Sequence, residues 1–177
     1  MGATLHGRLV TLRPLTAADT DRLRKIRALP GVVRWWRALE DDFPAADEPD
    51  AVRFAVEHAG TVVGMIQYAE ENEPDYRHAG IDVFLDPAVH GRGLGLDAIL
   101  ALAVHLVRDR GHHRLTIDPA AANEVAIACY AAAGFRPVGV MRAYERDRDG
   151  GAWHDGLLMD ALADEVLAAA ARRGVPT

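Results

Sequence analysis

One cysteine in 177 residues, one lysine among twenty basic residues, and no apolar run of membrane length narrow the protein before any motif is read. The lone Cys129 excludes a disulfide framework within the chain and fits a reducing compartment. No basic-then-apolar segment opens the sequence. The longest apolar stretch, Ala98 to Val107, is interrupted by His105 and falls well short of the roughly 18 residues a spanning helix needs. A cytoplasmic protein with no membrane role is therefore expected. A basic excess is also missing. The formal net charge of −6 argues against a nucleic-acid partner, which would need a basic face, and favours a neutral or cationic small partner. The near-absence of lysine reads as codon bias and carries no functional content. What is abundant is hydrophobic sequence, half of all residues, enough for one domain spanning 1–177 to bury its own core.

The patterning predicts alternating elements. "RLVTLRPL" (Arg8–Leu15) reads as a first strand. Thr16, with Asp19 three residues on, starts a helix to Ala28 that Pro30-Gly31 breaks, and "VVRWWRAL" follows as a short helix or turn. "EDDFPAADEPD" (Glu40–Asp50) reads as a mobile acidic loop. "VRFAVEH" and "TVVGMIQYAE" form a hairpin through His58-Ala59-Gly60, and "EENEPDYRH" is a second acidic loop. Then come the strand "AGIDVFLD", a helix from Gly93 to Arg110 that is apolar nearly all round, and the strand "HRLTID". A helix capped by Asn123 and Gly134 follows, then two long strands joined at Asp149-Gly150-Gly151, and finally a helix. This order predicts an α/β (α+β) fold: a mixed central sheet of about seven strands, helices on both faces, and a C-terminal helical extension from about residue 160. The mid-chain strand–helix–strand unit must be parallel.

"HGRGLGLDAIL" (His90–Leu100) places a glycine-rich turn at a helix N-terminus, where free backbone N–H groups and the helix dipole suit a phosphate. The G-x-G-x-G spacing, mid-chain, departs from the G-x-G-x-x-G of a dinucleotide fold. Leu96-Asp97 after the last glycine departs from the Lys-Ser/Thr of a P-loop. On this stretch alone a purely structural turn stays open.

The turn together with "DPAAANEVAIACYAAAGF" downstream resembles the GCN5-related N-acetyltransferases. That family's acetyl-CoA motif, Gln/Arg-x-x-Gly-x-Gly/Ala, is matched by His90-Gly91-Arg92-Gly93-Leu94-Gly95, with His90 in place of Gln/Arg. The pattern Asn-x-x-Ala-x-x-x-Tyr-x-x-x-Gly-Phe is met by Asn123, Ala126, Tyr130, Gly134 and Phe135. The resemblance runs from about Arg8 to Leu162. "VVRWW", "GIDVFL" and "TIDPAAANEVAIACY" look like the aminoglycoside 6'-N-acetyltransferase branch. That likeness implies an acceptor cleft lined by Trp35, Trp36, Asp82 and Asp118, by Glu71 and Glu73 of the acidic loop, and by Asp149 in a late turn. The Trp-rich loop of that branch is absent before "GID", and the insertion around Glu40–Asp50 is short.

The resemblance implies acetyl-CoA as co-substrate, no metal, and acetylation of a primary amine on an aminoglycoside-like cationic small molecule. The alternative acceptor is another small amine: a siderophore precursor, a polyamine or a peptide α-amine. A non-catalytic acyl-CoA sensor is a third reading, against which the presence of both Asp82 and Tyr130 counts. By the same resemblance, Asp82 orients the amine and takes its proton, and Tyr130 protonates the CoA thiolate. The N–H groups around Phe84 and Leu85 polarise the thioester, and the strand carrying them splays from His113–Asp118 to admit pantetheine. His90, Gly91, Arg92, Gly93, Leu94, Gly95 and Leu96 face the pyrophosphate, and Asn123 serves as both cap and CoA contact. Read from the residues alone, Asp82 also fits a strand kink and Tyr130 a half-buried helix position. One tryptophan is expected to stack on the acceptor and the other to anchor the core. The histidines show no metal-ligand spacing. Cys129, beside Tyr130 on a helix, is expected to face elsewhere. The last strands and helix offer a surface for a homodimer, and the chain is expected as a monomer or homodimer.

Overall fold

The mid-chain strand–helix–strand unit sets the direction of the sheet. The computed structural model describes residues 3–36, 39, 41–44, 51–147 and 150–177. Its elements are β1 (Leu5–His6), β2 (Thr11–Pro14), α1 (Thr20–Arg27), α2 (Pro30–Val33), β3 (Ala51–His58), β4 (Thr61–Glu71) and β5 (His78–Leu85). These are followed by α3 (Leu94–Arg108), β6 (Arg114–Ile117), α4 (Glu124–Ala132), β7 (Arg136–Arg146), β8 (Trp153–Leu162) and α5 (Ala163–Arg173). The strands form one sheet in the order β1-β2-β3-β4-β5-β6-β8-β7, and β5–β6 is its parallel pair. The mixed α/β architecture matches the sequence expectation. The count is eight because a two-residue strand, β1, precedes the expected first strand, of which only Thr11–Pro14 (β2) pairs in the sheet, and residues 8–10 divide the two.

That division has a local cause. Asp97, in the first turn of α3, is buried and accepts the N–H groups of Arg8, Leu9 and Val10 at 3.0, 2.7 and 3.0 Å. Those three bonds hold the chain in a turn where the alternation of "RLVTLRPL" suggests continuous strand. A Cβ on Gly7 would lie 2.2 Å from Asp97 Oδ2, so the close approach requires glycine. Asp97→Asn replaces a charged acceptor by an amide that presents donors to donors. It is expected to cost about 1–3 kcal/mol of stability, measured as a shift in urea midpoint at unchanged m-value. An unshifted midpoint would show that the turn does not depend on the carboxylate.

Two cores flank the sheet. On one face α3, α4 and α5 cover Ile66, Ile81, Leu115 and Met159. Ten of the fifteen α3 residues are buried, which requires cover on more than one side. α5 contributes buried Val166, Ala169 and Ala170, so it is a packed element. On the other face α1 and α2 place Leu23, Ile26 and Val32 against Met65 and Phe84. α1 ends at Arg27, ahead of Pro30-Gly31 as expected, and Pro30 then opens α2 at its first turn, where a missing N–H costs nothing. Residues 41–44 of the expected mobile loop form a turn with Phe43 buried in this second core. That turn is held by Arg24 on the Phe43 carbonyl and Arg53 on the Pro44 carbonyl, both at 2.8 Å. Residues 40 and 45–50 lie outside the described residues, as does Asp149.

The acidic stretch Glu70–Glu73 also differs from expectation at its first residue. Glu70 takes two hydrogen bonds from Arg110 (3.1 and 2.8 Å) and one from buried His112 (2.7 Å). Arg110 first, with His112 adding, holds the Glu70 carboxyl down at about 2. Glu70 is thus a tie between β4 and the α3–β6 turn. Among the described residues no helix is long and apolar enough to cross a membrane.

Candidate active site

β5 and β6 pair only at Ala79–Leu115 and Gly80–Thr116, and beyond Gly80 they separate. On its other side β5 stays in register with β4 through Leu85. Asp86 N–H bonds the Val63 carbonyl at 2.7 Å. By the two-residue period of an antiparallel pair, the Phe84 N–H also points to β4, and those of Val83 and Leu85 point into the gap. Of the two residues expected to polarise a thioester, Leu85 therefore has its amide facing the opening. Phe84 instead offers its ring to the second core. Gly64 lets β4 and β5 close up: a Cβ there would meet the Phe84 carbonyl oxygen at 2.2 Å.

The gap opens into a cleft of about 1170 Å³. One end is the glycine-rich turn. Gly91 (φ 74°) and Gly93 (φ 78°) adopt the left-handed conformation that favours glycine, and Gly93 caps α3 without a side chain. The first α3 bond to the turn is Asp97 N–H to Gly93 O at 3.1 Å. The amides of Leu94, Gly95 and Leu96 thus precede the helical ladder, as a helix N-terminus requires. The one acid in this first turn, Asp97, is already committed to the β1–β2 turn.

His90 is exposed, and its Nε2 donates to the Leu85 carbonyl at 3.3 Å. Arg92 turns to His58, with Nη2 3.3 Å from Nε2, while His58 Nδ1 donates to the Leu9 carbonyl at 2.8 Å. Asn123 caps α4 through Oδ1 to the Ala126 N–H at 3.2 Å and also lines the cleft. Cys129 departs from expectation. It lines the cleft, its Sγ 3.9 Å from where a Gly95 Cβ would stand, because α4 lies beside the start of α3. Burial pushes its thiol up to about 11, so it stays protonated.

The other end of the cleft holds Trp35, Trp36, Asp82, Asp118 and Tyr130. Trp36 packs edge-on against Phe84, ring centroids 5.0 Å apart at 80°, with the Arg27 guanidinium 5.1 Å over its face. Trp35 lies outside that cluster, under Arg34 at 4.6 Å. Asp82 accepts from Gln67 Nε2 at 3.2 Å, and Gln67 Oε1 in turn accepts from Arg53 at 3.0 Å, which sets the amide's orientation. Tyr130 is 8% exposed. Burial, then Cys129, Asp82 and Asp118, raise its hydroxyl well above the ordinary phenol range, so it is a neutral donor. Glu71 and Glu73 are not brought here. They stand at the far end of the β4–β5 hairpin, where Glu71 accepts the Glu73 N–H at 2.9 Å.

Sequence reasoning missed Gln67, Phe43, Tyr144 and Glu145, all of which line the cleft. Gln67 carried a readable signal, since it faces Asp82 directly across the β4–β5 pair. Tyr144 carried none, because its position depends on an irregularity in β7. Among the described residues no group of three His, Cys, Asp or Glu is placed to hold a metal ion.

Residues 20–135 match the Acetyltransferase (GNAT) family. Aminoglycoside N(6')-acetyltransferases type 1 from Klebsiella pneumoniae and from Serratia marcescens are each 28% identical over 155 residues, 75% of this chain and 76% of theirs. Among solved structures, Mycobacterium smegmatis RimJ in complex with CoA-disulfide superposes with a TM-score of 0.81 at 23% identity, covering 97% of this chain and 91% of that one. Spermidine N-acetyltransferase from Vibrio cholerae in complex with CoA and spermine gives 0.78 at 21%, covering 90% and 98%. At these identities the two structures share the fold.

Proposed function

The chain belongs to the acetyltransferase (GNAT) family, and from that membership we propose that it is one acetyltransferase domain that uses acetyl-CoA to acetylate a primary amine of an aminoglycoside-like cationic small molecule. The observation that carries this reading is the gap between β5 and β6. Glycine-rich amides lie at one end of its cleft, and Asp82, Asp118 and Tyr130 at the other.

The residues present fit the co-substrate. The Gly91–Leu96 amides suit a pyrophosphate. The Val83 backbone groups and the Leu85 N–H, which the sheet leaves facing the gap, suit the amides of an extended pantetheine arm. When bound there, acetyl-CoA supplies an acetyl group activated as a thioester. Leu85 N–H, facing the gap, supplies a hydrogen bond where negative charge develops on the carbonyl oxygen. Asp82, its carboxylate steadied by Gln67, orients the acceptor ammonium and receives its proton. Tyr130 holds a proton for the departing thiolate. Asp118 and Glu145 add negative charge to the acceptor end, and Trp35 offers a ring face for a sugar.

One observation favours a smaller acceptor. With Glu71 and Glu73 away from the cleft, the described acidic residues there suffice for a short polyamine. The deciding experiment is an acetyl-CoA consumption screen against aminoglycosides, polyamines, hydroxylated lysines and short peptides. Turnover of an aminoglycoside supports the first reading. Turnover of a polyamine without any aminoglycoside moves the assignment to the second.

Tyr130→Phe tests the proton donor. It is expected to lower kcat on the order of 10²-fold with the KM of the acceptor little changed, read by single-turnover kinetics so that slow product release does not mask the step. An unchanged single-turnover rate would remove Tyr130 as the acid.

A further inference from the structure

β7 is irregular at one place, and the irregularity delivers a side chain to the acceptor end. Met141 pairs with Gly156 and Glu145 with His154, so three residues of β7 stand against one of β8. Within that bulge Ala143 has φ 50°, unfavourable for a residue with a Cβ, and its N–H is held by Asp155 Oδ1 at 2.8 Å. The distortion lays the Tyr144 ring over Gly156, where a Cβ would meet Tyr144 Cδ1 at 2.7 Å. The same Gly156 bridges Ala120, which ties the segment after β6 to β8. Tyr144 thereby reaches Asp118 and donates its hydroxyl proton to Oδ2.

A second cavity of about 310 Å³ lies on the open sheet face, beyond the main cleft, between Gly80, Thr116 and Leu158. Three residues line both spaces: Asp82, Asp118 and Tyr144. With its single proton committed to Asp118, the Tyr144 oxygen presents only lone pairs to whatever passes between them.

We infer that Tyr144 is a positioning residue for acceptor recognition: its hydroxyl fixes the Asp118 carboxylate at the junction of the two cavities, so that an ammonium group of the acceptor meets an oriented acceptor set. The inference rests on the amine-acceptor reading above. Tyr144 acts through Asp118, and the bulge, the left-handed Ala143 and the bare Gly156 are the local features that place it. Its effect falls on acceptor affinity and not on the co-substrate, since the glycine-rich turn lies at the opposite end of the cleft.

The test measures spermidine and kanamycin A binding by calorimetry on the CoA-loaded protein, for wild type, Tyr144→Phe, Asp118→Asn and the double variant. Tyr144→Phe keeps the ring over Gly156 and removes only the hydroxyl. It is expected to weaken acceptor binding about tenfold, to leave CoA affinity and thermal midpoint unchanged, and to add nothing in the Asp118→Asn background. Equal loss of CoA affinity, or an effect that persists without the Asp118 carboxylate, overturns the inference. So does acceptor binding that Tyr144→Phe leaves unchanged, and that result leaves the amine-acceptor reading standing. Wild-type protein that binds neither amine overturns both.

Discussion

Gly93→Glu is expected to abolish CoA binding, with the calorimetric heat of the wild type lost and affinity reduced at least on the order of 10²-fold. Three effects add. Gly93 sits at φ 78°, where a side chain costs roughly 1–2 kcal/mol. It caps α3, so the new carboxylate stands among the amides of Leu94, Gly95 and Leu96, the groups a pyrophosphate needs. The carboxylate also takes the helix-dipole position for itself and repels a second anion. Packing does not confound the result, because the nearest protein atom to a Cβ there is Leu9 Cδ1 at 3.8 Å. Gly93→Ala separates the terms: it keeps the backbone strain, adds no charge, and should retain measurable binding. Wild-type affinity in Gly93→Glu would remove the glycine-rich turn as the phosphate site.

The parts of this site legible in the sequence are those built from contiguous residues. The turn His90–Gly95, the Asn123 cap and the Gly134 terminator are local: each depends on backbone conformation within a few residues, and glycine or asparagine announces it. The parts that stayed hidden depend on partners far along the chain. The break between β1 and β2 needs Asp97, some 88 residues away. Glu70 reads in sequence as the start of an acidic loop, whereas Arg110 and His112 meet it across 40 and 42 residues. Tyr144 sits in what reads as an uninterrupted strand, and its bulge is set by Asp155 and Gly156 on the neighbouring strand. Cys129 was misplaced for a related reason. Adjacency to Tyr130 fixes a rotation of about 100° on a helix, but both directions face the cleft here, because α4 lies at its edge.

The charge of Asp82 carries the second large effect. Asp82→Asn is expected to lower kcat/KM for the acceptor by about 10²–10⁴-fold while the KM for acetyl-CoA stays near its wild-type value. The substitution is close to isosteric, and its Oδ1 can still accept from Gln67 Nε2 while the carboxylate charge is lost. Two roles then separate by pH. An acceptor amine enters as an ammonium at neutral pH, and its proton must leave before nitrogen attacks. If Asp82 takes that proton, the deficit of the variant shrinks as pH rises toward the amine's own pKa, because solution then supplies the neutral form. If Asp82 only anchors the ammonium, the loss sits in KM, and raising the pH narrows the gap by weakening the wild type as the anchored species disappears, with no gain in the variant's own kcat/KM. Asp118 carries a formal charge in the same region, with one carboxylate oxygen engaged by Tyr144. Wild-type kinetics in Asp82→Asn across the pH range would remove Asp82 from both roles, leaving the backbone of the gap and Tyr130 as the catalytic apparatus.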